Sequence, residues 1–139
     1  MKATKSIILK NQISEIAQLP RILEQFGGHQ NVPETVLSSM NLALEEIITN
    51  IISYGYKDQQ EHEIILRLFL ESNELVAEVE DDGQPFNPLD VPDPDTNLSL
   101  EDRSIGGLGI HLTKMMMDGL EYTQWKGKNL LRLRKGLSE

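Results

Sequence analysis

Residues 44–56 read Leu44-Glu45-Glu46-Ile47-Ile48-Thr49-Asn50-Ile51-Ile52-Ser53-Tyr54-Gly55-Tyr56. Together with Val36, Met40, Ala43 and Leu44, the apolar residues Ile47, Ile51 and Tyr54 recur every three or four positions. That spacing predicts one amphipathic helix of about 20 residues. Asn31 followed by Glu34 predicts a capping box, with Pro33 in the first turn and Gly55 as the stop. Glu46, Asn50 and Ser53 stand at i, i+4 and i+7, so they share a face beside the apolar stripe. An Asn carbonyl can ligate Mg²⁺, and a carboxylate one turn away can take a proton from an attacking hydroxyl. Taken alone, the same spacing is ordinary on a solvated helix face.

Working toward the N-terminus, residues 14–26 carry Ile16, Leu19, Ile22, Leu23 and Phe26 at helical spacing. Ser14 is the expected N-cap, Gly27-Gly28 the expected stop, and Pro20 an expected kink. Residues 6–9 predict a short first strand. Toward the C-terminus, residues 64–70 predict a buried strand, and 75–79 pair with it across a turn at Glu71–Glu74. Residues 83–105 hold four of the six prolines, which predicts a long functional loop. A third helix is expected after Gly109, to about Asp118. A final hairpin, 120–125 with 130–135, turns on Lys126-Gly127-Lys128-Asn129. The order of elements predicts an α+β two-layer sandwich, with a mixed, mostly antiparallel sheet and helices on one face.

Two further features carry chemistry. Val79-Glu80-Asp81-Asp82-Gly83 ends a strand, where a carboxylate can accept a hydrogen bond from the amino group of a base. The bland alternative is turn chemistry. Gly106-Gly107-Leu108-Gly109 opens a helix, where unpaired N–H groups face an anion, and Arg103 and Lys114 add positive charge. It fits neither the Walker A pattern nor the Rossmann fingerprint, and a hinge is the bland alternative.

In this order and combination the chain resembles the GHKL (Bergerat-fold) ATPases, the superfamily of gyrase, histidine kinases and heat-shock chaperones. Within them it is most similar to the bacterial anti-sigma factor serine/threonine kinases. Glu46-x-x-x-Asn50 resembles their N box, Asp81-x-Gly83-x-x-Phe86-Asn87-Pro88 their first glycine box, and Gly106-Gly107-Leu108-Gly109-Ile110 their second. The resemblance implies a histidine-kinase-like ATPase fold over 1–139, with an ATP lid at about 84–105. It implies ATP and Mg²⁺ as cofactors. Asn50 would hold the metal and Glu46 would be the general base. Asp81 would bind the adenine amino group, with Gly83 beneath the ring and Phe86 nearby. Gly107 and Gly109, with Gly106, Leu108 and Arg103, would hold the phosphates. The implied partners are a small STAS-type antagonist protein, phosphorylated on serine or threonine, and a sigma factor or related regulator, with a homodimer also implied. The alternative is a nucleotide-dependent module that sequesters a regulator without phosphotransfer. Two departures stand out: Pro85 replaces a glycine, and Arg103 is the only basic residue of the lid.

Composition sets the outer bounds. A chain of 139 residues with 39% hydrophobic content suits one folded domain. No apolar run approaches the ~18 residues of a membrane span. MKATKSIILKNQ is too short in apolar residues for a signal peptide, so the cytoplasm is expected. The absence of cysteine excludes disulfides, thiol catalysis and zinc–cysteine sites. A net charge of −9 argues against nucleic acid and anionic membranes as partners. That charge is concentrated: Glu71 to Asp102 hold 11 acidic residues and no Lys or Arg. His29, His62 and His111 lack metal-ligand spacing. Met115 to Met117 are expected as helix core and surface, and Trp125 as packing. Lys126, Lys128, Arg132, Arg134 and Lys135 are expected to blunt an edge strand or to meet an acidic partner.

Overall fold

The computed structural model describes residues 4–90 and 107–138, with side chains from 109 onward in the second stretch. Five strands form one sheet in the order β1-β2-β3-β5-β4: β1 Thr4–Lys10, β2 Glu63–Glu71, β3 Glu74–Asp81, β4 Gly119–Trp125 and β5 Lys128–Gly136. Every neighbouring pair is antiparallel. The sheet is therefore antiparallel throughout rather than mixed: β2–β3 and β4–β5 are joined by tight hairpins, and the chain from β1 to β2 passes through two helices rather than the single crossover helix of a parallel pair.

Three helices, α1 Leu19–Gln30, α2 Glu34–Tyr54 and α3 Gly107–Met116, accompany the sheet. Period-two alternation sorts β2 and β5, whereas β3, central in the sheet, is buried on both faces, Val76 and Glu78 included. Ile64, Leu66 and Leu68 of β2, Leu75, Ala77 and Val79 of β3, and Leu131 and Leu133 of β5 join one core with Leu23, Met40, Leu44 and Ile48 of the helices. The opposite face sets charged residues among apolar ones such as Val76. There Glu78 receives Arg67 Nε at 3.1 Å and Arg132 Nη2 at 2.6 Å, and Arg134 meets Glu121 at 3.0 Å and Glu74 at 3.6 Å. Arg132 and Arg134 thus serve an ion-pair lattice on the uncovered face rather than an edge. Trp125 is 68% exposed and lies against the Lys126 ammonium at 4.5 Å, so it does not pack in the interior.

Several local expectations shift. Residues 13–18 form a 3₁₀ turn, and Pro20 lies in the first turn of α1, where its missing N–H costs nothing and no kink follows. Ser14 therefore caps nothing; Gln12 and Gln18 hold the N-cap positions. Gly27 and Gly28 lie inside α1. A β-carbon on Gly27 would meet a Leu37 methyl at 2.5 Å, so this glycine lets α1 pack close to α2. The helix ends at Asn31 in the left-handed conformation (φ 56°), so Asn31 is a C-cap and the capping box does not form. Pro33 is the N-cap residue of α2. Both hairpins use two-residue turns, Ser72-Asn73 (φ 51° and 62°) and Lys126-Gly127 (φ 50° and 75°), which match the strand twist. Asn129 accordingly belongs to β5 and not to a turn.

Candidate nucleotide site

Asp81 is the last residue of β3 and lies across from Asn129 of β5. Its position on the helix-facing side leaves it 6% exposed. Oδ2 of Asp81 accepts the Gly83 N–H at 2.8 Å and Asn129 Nδ2–H at 3.1 Å. Burial raises the Asp81 carboxyl above its usual range. Those two donors oppose the shift, and the charges of Asp82 and Glu80 add to it.

The chain after Asp81 is strapped to the C-terminal end of α2. Gln84 donates its backbone N–H to the Gly55 carbonyl at 2.7 Å and its side-chain amide to the Tyr54 carbonyl at 3.0 Å. Two carbonyls left unpaired by the end of α2 are thereby satisfied. A β-carbon on Gly83 would lie 2.7 Å from the Gly55 oxygen, so only glycine allows this approach.

Between strap, sheet and helix lies a cavity of about 360 Å³. Ile47 and Ile51 of α2, Pro85, Phe86, Pro88 and Leu131 supply apolar walls, and Asp81, Asn129 and Asn50 supply the polar groups. Apolar walls around one buried acceptor suit a flat heteroaromatic ring with an amino edge.

Asn50 is 9% exposed, so it sits within the packed side of α2. Its Nδ2 donates to the Glu46 carbonyl and to Glu46 Oε1, each at 2.8 Å. With both N–H groups so engaged, the carbonyl oxygen of Asn50 remains an acceptor beside the cavity. The Glu46 carboxylate in turn fills the space where a β-carbon on Gly109 would stand. Gly107 to Gly109 thus open α3, with Gly109 against the Glu46 carboxylate. Among the described residues no cluster of three or more His, Asp or Glu could hold a metal. The Asn50 carbonyl is a hard oxygen that fits Mg²⁺ carrying ligands of its own.

A second polar cluster borders the strap. Tyr56 stacks on His62 with ring centroids 4.3 Å apart. The His62 ring nitrogens meet Asp58 Oδ1 at 2.8 Å and Asp82 Oδ2 at 3.2 Å. Asp58, then Asp82, raise the His62 pKa. Burial, followed by the charges of Asp81 and Asp82, raises the Tyr56 phenol.

Of the residues singled out from the sequence, Asn50, Asp81 and Phe86 line the cavity. Gly83 shapes the strap, and Glu46 and Gly109 meet next to Asn50. Gly107 starts α3, while the Leu108 side chain, Gly106, Arg103 and the lid beyond residue 90 lie outside the described residues. Ser53 is exposed and does not line the cavity. Asn129, Tyr122 and Gln84 were not legible as site residues. Nothing local marks them, because their roles come from the β3–β5 register and the α2 end.

The model of the histidine kinase-like ATPase domain matches residues 9–135 of this chain. The chain belongs to that family. This ATPase domain is 28% identical over 95 residues to the serine/threonine-protein kinase BtrW of Bordetella bronchiseptica, covering 68% of this chain and 67% of BtrW. It is 26% identical over 89 residues to the serine-protein kinase RsbW of Listeria monocytogenes, covering 61% and 57%. Against RsbW of Bacillus subtilis it is 24% identical over 95 residues, covering 66% and 59%. The chain thus spans somewhat over half the length of the RsbW proteins it matches. Its fold is shared with the RsbU and RsbW domains of a Mycobacterium tuberculosis protein at a TM-score of 0.70 and 16% identity, over 99% of this chain and 33% of that one. No helix among the described residues is long and apolar enough to cross a membrane.

Proposed function

We propose that this ATPase domain is an ATP- and Mg²⁺-dependent protein kinase. Its substrate is a serine or threonine of a small STAS-type antagonist protein, and in its alternative state it binds a sigma factor or related regulator. The observation that carries the reading is the placement of Glu46. Its carboxylate is held by Asn50 Nδ2 and abuts the backbone of Gly109 at the start of α3. A binding module needs no base there.

Each part has a task within this reading. Asp81 accepts the adenine amino group in the apolar cavity. Asn50 would hold Mg²⁺ through its carbonyl, and the metal would neutralise phosphate charge. The N–H groups of Gly107 to Gly109 face the phosphates at the start of α3. Glu46 accepts the proton of the attacking hydroxyl as its oxygen bonds to the γ-phosphorus and ADP leaves. Phosphoryl transfer depends mainly on positioning and charge, so this short set of side chains suffices.

The test is transfer from radiolabelled ATP, with Mg²⁺, to a small STAS-type antagonist protein, by wild type and by Glu46→Gln. Transfer that Glu46→Gln abolishes supports the kinase. ATP binding without transfer by the wild type overturns it in favour of a nucleotide-dependent module that sequesters a regulator. The second reading draws on residues 84–105, where Arg103 is the sole basic residue.

A further inference from the structure

The floor of the cavity is specified more tightly than a lone acceptor requires. The Asn129 amide nitrogen faces three acceptors: Asp81 Oδ2 at 3.1 Å, the Gly83 carbonyl at 3.0 Å and the Gln84 carbonyl at 3.2 Å. Only the NH₂ end of a carboxamide can satisfy them, so the amide has a single workable orientation. Its other end, Oδ1, takes the Tyr122 hydroxyl. A carboxamide oxygen only accepts, so Tyr122 donates. Burial of Tyr122 raises its phenol above the usual value, which keeps that proton in place at neutral pH. From the other side the Gly83 N–H donates to the same Asp81 oxygen.

Oδ2 of Asp81 is therefore saturated by two N–H donors, and Oδ1 has no donor among the described residues. Rotation of the carboxylate would break both bonds. What the cavity receives is one fixed acceptor. An amino group on a bound ring matches it, whereas a ring carbonyl at that place sets acceptor against acceptor in a buried site. Leaving buried polar groups unpaired costs more than a simple lost contact.

We propose that Tyr122 and Asn129 set the nucleobase selectivity of this site. Acting through Asp81 as positioning residues, they favour a 6-aminopurine and reject a 6-oxopurine. The proposal rests on the reading of the cavity as the nucleotide site.

The test is equilibrium binding of ATP and of inosine triphosphate, which carries an oxo group in place of the 6-amino group. Both are measured with Mg²⁺, on the full chain, for wild type, Tyr122→Phe and Asn129→Ala. Wild type is expected to bind ATP tighter by about tenfold or more. Asn129→Ala should bring the two affinities within about threefold of each other, and Tyr122→Phe should lower the ratio by about threefold. A purely structural role would weaken both nucleotides alike and keep the ratio. An unchanged ratio in both variants overturns the proposal. If Asn129→Ala does not fold, Tyr122→Phe, which removes one oxygen, decides alone. Equal binding of both nucleotides by wild type overturns the selectivity and leaves the ATP site standing; binding of neither overturns both.

Discussion

The carboxylate of Glu46 occupies the space that a β-carbon on Gly109 would need. The contact is with the far end of a flexible side chain, so Gly109→Ala can be accommodated by moving Glu46. Alanine is also the better helix former by about 1 kcal/mol. Gly109→Ala should thus leave thermal stability within about 1 kcal/mol of wild type. Displacing the base should lower phosphotransfer by up to about 10²-fold. Melting and single-turnover transfer, measured together, check the prediction; an active Gly109→Ala contradicts the role given to Glu46.

Asp81→Asn should weaken ATP binding by about 1–3 kcal/mol, the scale of a hydrogen bond to a charged group. The same carboxylate predicts a pH dependence. Its pKa is raised by burial and by Asp82 and Glu80, with Tyr56 and Tyr122 nearby and uncharged at neutral pH. ATP affinity should fall as pH drops through that raised value, above the ordinary 3.8. Asp81→Asn should flatten the profile. Calorimetric titration across pH reads both, and unchanged ATP affinity in Asp81→Asn contradicts the assignment.

Gly83→Ala is different from Gly109→Ala because its β-carbon would press on backbone, the Gly55 carbonyl oxygen at 2.7 Å. Backbone cannot step aside. The expected loss is about 1–3 kcal/mol of stability, with the Gln84 strap loosened. Chemical denaturation with ATP-binding measurements would show the two defects together.

Glu78 tests the uncovered face of the sheet. Burial works against its charge, but Arg132 and Arg67 outweigh this and hold its pKa below 4.5. Its contribution is therefore full above pH 4.5 and lost as pH falls through the lower folded value. Asp81, raised in the folded state, contributes with the opposite sign. Glu78→Gln should cost about 1 kcal/mol at pH 7 and close to nothing at strongly acid pH. Denaturation midpoints at the two pH values decide it.

The acidic stretch Glu71 to Asp102 borders the cavity through Asp81, so an anionic nucleotide meets like charge there. Chelation of Mg²⁺ should weaken ATP binding by about tenfold or more. Equal affinity with and without a chelator contradicts the place given to the metal beside Asn50.

Much of this was legible along the chain. The α2 stripe, the β2–β3 hairpin and the β4–β5 hairpin follow from periods of 3.6 and 2 and from turn residues, all interactions between near neighbours. Asn50 and Asp81 stood out because each lies within a short motif. The errors also have local causes. Asn31 followed by Glu34 has the form of a capping box, yet Asn31 closes α1 in the left-handed conformation. Gly27-Gly28 has the form of a stop, yet Gly27 is there so that Leu37 can approach.

Patterns between neighbours were enough to specify the elements, the two-layer class and the motif carboxylates. The site's final geometry was not available at that range. Asn129 reaches Asp81 across 48 residues of chain, and Gly109 meets Glu46 only when α3 packs beside α2. Neither relationship leaves a periodic trace, because the first depends on β5 entering the sheet beside β3 and the second on how α3 packs on α2. The side chain that orients Asp81 is thus decided by strand order and register, which the whole core sets at once.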